Sequence, residues 1–142
     1  MPATNTQDDR ATAQTWEMWF TPFPKTVYIA RRQVWRALTG WGVPEDAVDT
    51  TVLITSELVT NAIRHCDTQR LVHVHLTDDG TVLLLEVSDP SRRHPRPVIV
   101  PSDAENGRGL MLVRVVAADF GARDRDPVGK TVWATVPRLP AP

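Results

Sequence analysis

The chain contains one cysteine, Cys66, and one tyrosine among its 142 residues. A lone thiol excludes an internal disulfide and cannot supply the ligand set of a structural zinc motif, so it reads as a buried thiol in a reducing compartment. No charge of either sign is in excess: Lys+Arg 16 against Asp+Glu 17 gives a net charge of -1. The field of the whole molecule therefore offers neither nucleic acid nor an acidic membrane a global attraction. No run approaches the roughly 20 apolar residues of a membrane span. The amino terminus also lacks a basic region followed by an apolar run. A cytoplasmic protein, with no direct nucleic-acid or membrane role, is expected.

What remains is the composition of an ordinary globular domain, 42% hydrophobic and 23% charged. A chain of this length buries about two-thirds of its unfolded surface, which is enough for one core without staples. Residues 1–14 are polar and aperiodic and read as a disordered tail, 15–137 as the folded domain, and 138–142 as a short Pro-rich tail. Trp16, Met18 and Phe20 alternate before Pro22 and Pro24, the pattern of an edge strand. From Lys25 to Thr39, Val27, Ala30, Val34, Ala37 and Leu38 recur at helical spacing, with Arg31, Arg32 and Arg36 on the other face.

Gly40 and Gly42 end that helix, and Pro44 with Glu45 and Asp46 starts another. Its buried stripe is read as Val48, Val52, Val59 and Ala62. Leu71–Leu76 and Thr81–Ser88 flank Asp79-Gly80, a hairpin signal. Leu110–Ala118 resumes helical spacing, and 119–125 and 130–136 read as closing strands. Without regular strand–helix alternation, the expected fold is α+β: a two-layer α/β sandwich whose mixed, mostly antiparallel sheet is covered on one face by helices.

The chemistry is concentrated in a few places. Glu57, Asn61 and His65 follow one another at four-residue steps, so a carboxylate, a carboxamide and an imidazole line one helical face. Asp89 shares parity with Leu83, Leu85 and Val87 and should point toward whatever covers that apolar face. Prolines 90, 95, 97 and 101 break the stretch between Asp89 and Gly107, which reads as a lid carrying Arg92, Arg93, His94 and Arg96. Gly107-Arg108-Gly109 then opens a helical pattern, a form that lets backbone N–H groups approach phosphate oxygens. Trp16 and Trp41 fall on apolar stripes, whereas Trp19 and Trp35 lie off them and are the better interface candidates. His73 and His75 share a strand face but lack a third ligand nearby, and no metal is assigned to them.

In order, E-L-V-T-N-A-I-R-H, V-S-D-P-S, E-N-G-R-G-L-M-L-V and G-K-T-V-W-A-T-V resemble the GHKL ATP-binding superfamily of histidine kinases, gyrase, heat-shock chaperones and mismatch-repair ATPases. Within it the chain looks most like the short bacterial anti-sigma-factor serine/threonine kinases, over about residues 16–137. The resemblance implies the Bergerat-type ATP-binding fold, with ATP and Mg²⁺ as cofactors. Asn61 would hold the Mg²⁺ and Glu57 would act as the base toward a protein serine. Asp89 would accept from the adenine amino group, and Thr131 would support the base through water. Gly107 and Gly109 would wrap the phosphates, Arg108 would add a contact, and His65 would support the pocket edge. Autophosphorylation of His65 is not expected, since histidine kinases take phosphate on a separate helical domain.

The implied partners are a sigma factor and a STAS-type anti-sigma antagonist, and homodimers occur among family members. The first glycine box departs from the family's D-x-G, reading Asp89-Pro90-Ser91. That departure motivates an alternative function, a non-catalytic GHKL-fold regulatory binding module.

Overall fold

The computed structural model describes residues 13–65, 71–89, 112–124 and 129–139. Strand β1, Gln14–Phe20, opens inside the stretch read as a tail and ends where Pro22 and Pro24 deny further ladder donors. Helix α1 spans Thr26–Gly40 and helix α2 spans Glu45–His65. The turn between them needs Gly42, whose φ of 74° suits a residue without Cβ. The Pro44 carbonyl accepts the first helical bond of α2, from Val48 N at 3.0 Å. Acids Glu45 and Asp46 lie in the first turn of α2, with Arg64 and His65 in the last, both favourable to the helix dipole.

β2, Val72–Asp78, and β3, Val82–Asp89, form the expected hairpin. Its turn is closed by the Asp79 carboxylate, which accepts from Thr81 N and Val82 N at 2.8 Å each, with Gly80 at φ 93°. Residues 112–116 are helical and put Val113 into the core at 0% exposure. β4, Asp119–Asp124, and β5, Lys130–Pro137, complete a sheet of order β1-β2-β3-β5-β4.

Every strand pairing among the described residues is antiparallel, so the sheet is wholly antiparallel there rather than mixed. One cause is the last connection: the chain leaves β3, passes β5's place to form the edge strand β4, and returns to insert β5 between them.

The helices cover one sheet face. Ala30, Val34 and Leu38 of α1 and Ile54, Leu58 and Val59 of α2 meet Val72, Val74, Leu76, Leu83, Leu85, Val87, Val132, Ala134 and Val136 in one core. At roughly 1.5–3 kcal/mol for each large buried aliphatic side chain, this layer holds the sandwich together. The α2 stripe is wider than Val48, Val52, Val59 and Ala62: Val52 is only partly buried, while Ile54 and Leu58 lie at its centre. The α+β two-layer expectation holds. No described helix is long and apolar enough to cross a membrane.

Candidate nucleotide site

Glu57, Asn61 and His65 fall on one side of α2, within about 80° of arc. Asn61 is 7% exposed, and Glu57 and His65 are half-buried. Two other polar groups on the inner side of α2 are satisfied within the helix: Thr51 Oγ1 donates to the Ala47 carbonyl at 2.7 Å and Thr55 Oγ1 to that of Thr51 at 2.8 Å. The Asn61 carboxamide differs, since it hydrogen-bonds no other described residue. Its amide atoms are not sealed from solvent, so the carboxamide is open to a ligand approaching that end of the helix. Glu57 likewise pairs with no described cation.

Asp89 closes β3 at 2% exposure, in phase with Leu83, Leu85 and Val87, and so on the helix-covered side of the sheet. Topology brings it to the same end as the α2 dyad. Helix α2 ends at His65 and the next described element, β2, begins at Val72; the start of β2 pairs with the end of β3 through His73↔Ser88. Since α2 packs over β2, β3 and β5, its last turns and Asp89 share one end of the sandwich. A carboxylate this deep costs free energy unless donors meet it, and such positions concentrate at functional sites.

Register separates Thr131 from this group. Thr131 stands opposite Ser88, and the two hydroxyls share a 2.8 Å hydrogen bond on the sheet face away from the helices. Strand parity sets Thr131, expected to support the base, on the other face from Asp89: Val132, Ala134 and Val136 face the helices, and Thr131 is out of phase with them. The residue opposite Asp89 is Lys130, which sequence reasoning did not single out although its parity with Val132 was readable. Gly107, Arg108, Gly109 and the stretch expected to form a lid, with Arg92, Arg93, His94 and Arg96, lie outside the described residues.

The donor set that is described suits a magnesium nucleotide. Mg²⁺ binds through one or two protein oxygens plus phosphates and keeps several waters. Asn61 and Glu57 offer hard oxygens one helical turn apart, and Asp89 offers an acceptor that an adenine amino group would fill.

The sheet face away from the described helices carries a different polar surface, with a shallow depression of about 330 Å³ lined in part by His75, Glu86, Arg123 and Thr131. Burial alone would push the Glu86 carboxyl up, but hydrogen bonds from Arg123 and His75, with their charges, outweigh it and hold the group below the usual glutamate value. His75 Nδ1 lies 3.2 Å from Glu86 Oε1, and His73 Nε2 lies 3.6 Å from Glu17 Oε1. Trp19 stacks on His73 with ring centroids 4.2 Å apart. As anticipated, Trp19 and Trp35 are exposed, at 49% and 50%, while Trp16 and Trp41 pack partly buried against the core.

The model of the histidine kinase-like ATPase domain family matches residues 20–136. Seventeen chains of solved structures match the fold. One is the crystal structure of the RsbU and RsbW domains of Rv1364c from Mycobacterium tuberculosis, superposing with a TM-score of 0.63 at 18% identity over 87% of this chain. The present chain spans 32% of that one, and the likeness is one of fold. No curated protein sequence matches. With the family model extending over most of its length, the chain belongs to the histidine kinase-like ATPase domain family.

Proposed function

We propose that the protein is an ATP-dependent serine/threonine kinase of the anti-sigma type, which phosphorylates a STAS-type antagonist and sequesters a sigma factor in the cytoplasm. The observation carrying this reading is the half-buried Glu57 one helical turn from the buried Asn61 on α2, at the end of the sandwich where Asp89 is also buried. Family membership and a fold shared with a structure containing an RsbW domain support it.

Bound MgATP would supply the transferable phosphoryl group and the cation that offsets its charge. The chain's own residues would do the rest. Asp89 would select adenine by accepting from its amino group, which guanine lacks at that position. Asn61 would hold the Mg²⁺, and Gly107, Arg108 and Gly109 would line the phosphates. Glu57 would accept the proton of the incoming serine hydroxyl, and general-base help of this kind contributes about 10²–10⁴-fold in rate. His65 would border the pocket.

Calorimetry with MgATP tests the pocket. Asn61→Ala and Asp89→Asn, folded by circular dichroism, are expected to lose binding, and unchanged affinity in both overturns the site. Labelled ATP with the cognate antagonist then separates kinase from binding module. A phosphoserine product lost in Glu57→Gln supports the kinase. Tight antagonist binding without transfer favours the module that the Asp89-Pro90-Ser91 box motivates.

A further inference from the structure

In the turn between β2 and β3, Asp79 precedes Gly80, and a glycine without Cβ leaves its amide open to the carboxyl of the residue before it. The turn is not shielded: Asp79, Gly80 and Thr81 are exposed, and a Cβ built on Gly80 would meet no described atom within 4 Å. In an unconstrained chain the Gly80 nitrogen attacks Asp79 Cγ. The N–Cγ bond forms, a Cγ–O bond of the neutral acid breaks, and its hydroxyl leaves with the amide proton as one water. Water then opens the ring. Opening at Cγ restores aspartate, whereas opening at the main-chain carbonyl leaves the chain running through Cγ, an isoaspartate. Two sets of hydrogen bonds oppose the first step. Asp79 Oδ1 accepts from Thr81 N and Val82 N, and these donors, Val82 first, hold the carboxyl below the usual aspartate value. A carboxyl kept ionised has no hydroxyl to expel and is the poorer electrophile. The nucleophile is occupied as well, since Gly80 N donates to Asp78 Oδ1 at 2.8 Å.

We propose that Asp79-Gly80 is a latent isoaspartate site, kept in its normal linkage by Asp78, whose carboxylate Arg138 fixes against the Gly80 amide. The turn is exposed but its guard is not. Asp78 is 3% exposed, and its Oδ2 accepts from Arg138 Nε at 3.1 Å. Arg138 is anchored in turn by donating through Nη2 to the Trp41 carbonyl at 3.0 Å and through its backbone N to the Thr81 carbonyl at 2.8 Å. The Gly80 nitrogen cannot turn toward Asp79 Cγ until its bond to Asp78 opens, so attack waits on a local opening of the turn. Isomerisation inserts one main-chain carbon into the β2–β3 connection and displaces the carboxylate that caps it. The turn precedes Val82, at the other end of β3 from Asp89, so the site stands apart from the kinase reading.

The test incubates the full chain at neutral pH below its unfolding transition and follows isoaspartate at residue 79 by peptide mapping with electron-transfer fragmentation. The same chain in urea gives the unguarded rate, and Asp79→Glu, which would have to close a larger ring, gives the blank. The folded parent is expected to convert at least about tenfold more slowly than in urea, the factor that one retained hydrogen bond supplies. Asp78→Ala, folded by circular dichroism, should recover most of that difference. Arg138→Met, with Asp78 still present, should recover part of it and carries the comparison if Asp78→Ala does not fold. Val34→Ala, which loosens the core instead of the turn, should keep the parent's rate. A parent that converts as fast folded as in urea, folded turn variants no faster than the parent, equal acceleration in Val34→Ala, or no isoaspartate at residue 79 even in urea overturns the proposal.

Discussion

Ser88 and Thr131, on neighbouring strands, join their hydroxyls at 2.8 Å on the sheet face that Asp89 turns away from. Thr131→Val should therefore leave ATP affinity within about twofold. It should lower unfolding free energy by about 1 kcal/mol, the usual worth of a hydrogen bond whose partner stays buried. Calorimetry and urea denaturation of one variant read both effects, and a large loss of ATP affinity would return Thr131 to the nucleotide pocket.

The elements were legible because their patterns are local. Val27, Ala30, Val34 and Leu38 repeat at helical spacing, and Leu83, Leu85, Val87 and Asp89 share parity, so both helix α1 and the inward aim of Asp89 could be read directly. The insertion of β5 between β3 and β4 could not, because pairing order depends on contacts between residues distant in sequence. Thr131 is a case of another kind. Its parity against Val132, Ala134 and Val136 is readable in the sequence, whereas the resemblance places it beside the base. The depth of Asn61 needed coordinates, since sequence gives residue type without burial.

Gly121 sits beneath the indole of Trp133, and a Cβ there would stand 2.9 Å from Cζ2. The ring must shift to admit a methyl group, so Gly121→Ala should cost about 1–2 kcal/mol. Combining it with Trp133→Leu should cost less than the sum of the single changes. Strict additivity in the double-mutant cycle would show that the indole is not the obstacle.

The lowered Glu86 carboxyl contributes stability that is fully present above the unfolded glutamate value of about 4.3 and is lost as pH falls through its folded value. Glu86→Gln should accordingly be less stable than the parent at neutral pH, with the gap closing on acidification below about pH 4. Urea midpoints measured across this range decide the matter; a gap that widens in acid contradicts the pairing with Arg123 and His75.

Arg138 donates through Nε to Asp78 Oδ2 at 3.1 Å and through Nη2 to the Trp41 carbonyl at 3.0 Å. The Asp78 side chain is 3% exposed and that of Arg138 22%. Arg138→Met strands a buried carboxylate, and because the guanidinium is partly hydrated the cost should be about 2–3 kcal/mol rather than the larger loss of a fully enclosed pair. Asp78→Asn in the same background should recover part of it. Failure to recover would place the loss in the Trp41 contact instead.

The inserted position of β5 also governs when the protein can be assembled on a ribosome. Until residues 130–137 emerge, β3 and β4 each present an unsatisfied edge with nothing between them, the arrangement most open to pairing with another nascent chain. Asp89 borders that same gap. Ligand competence and protection from misassociation would then arrive together during synthesis, at the moment the eighty-second to eighty-ninth residues find their second neighbour.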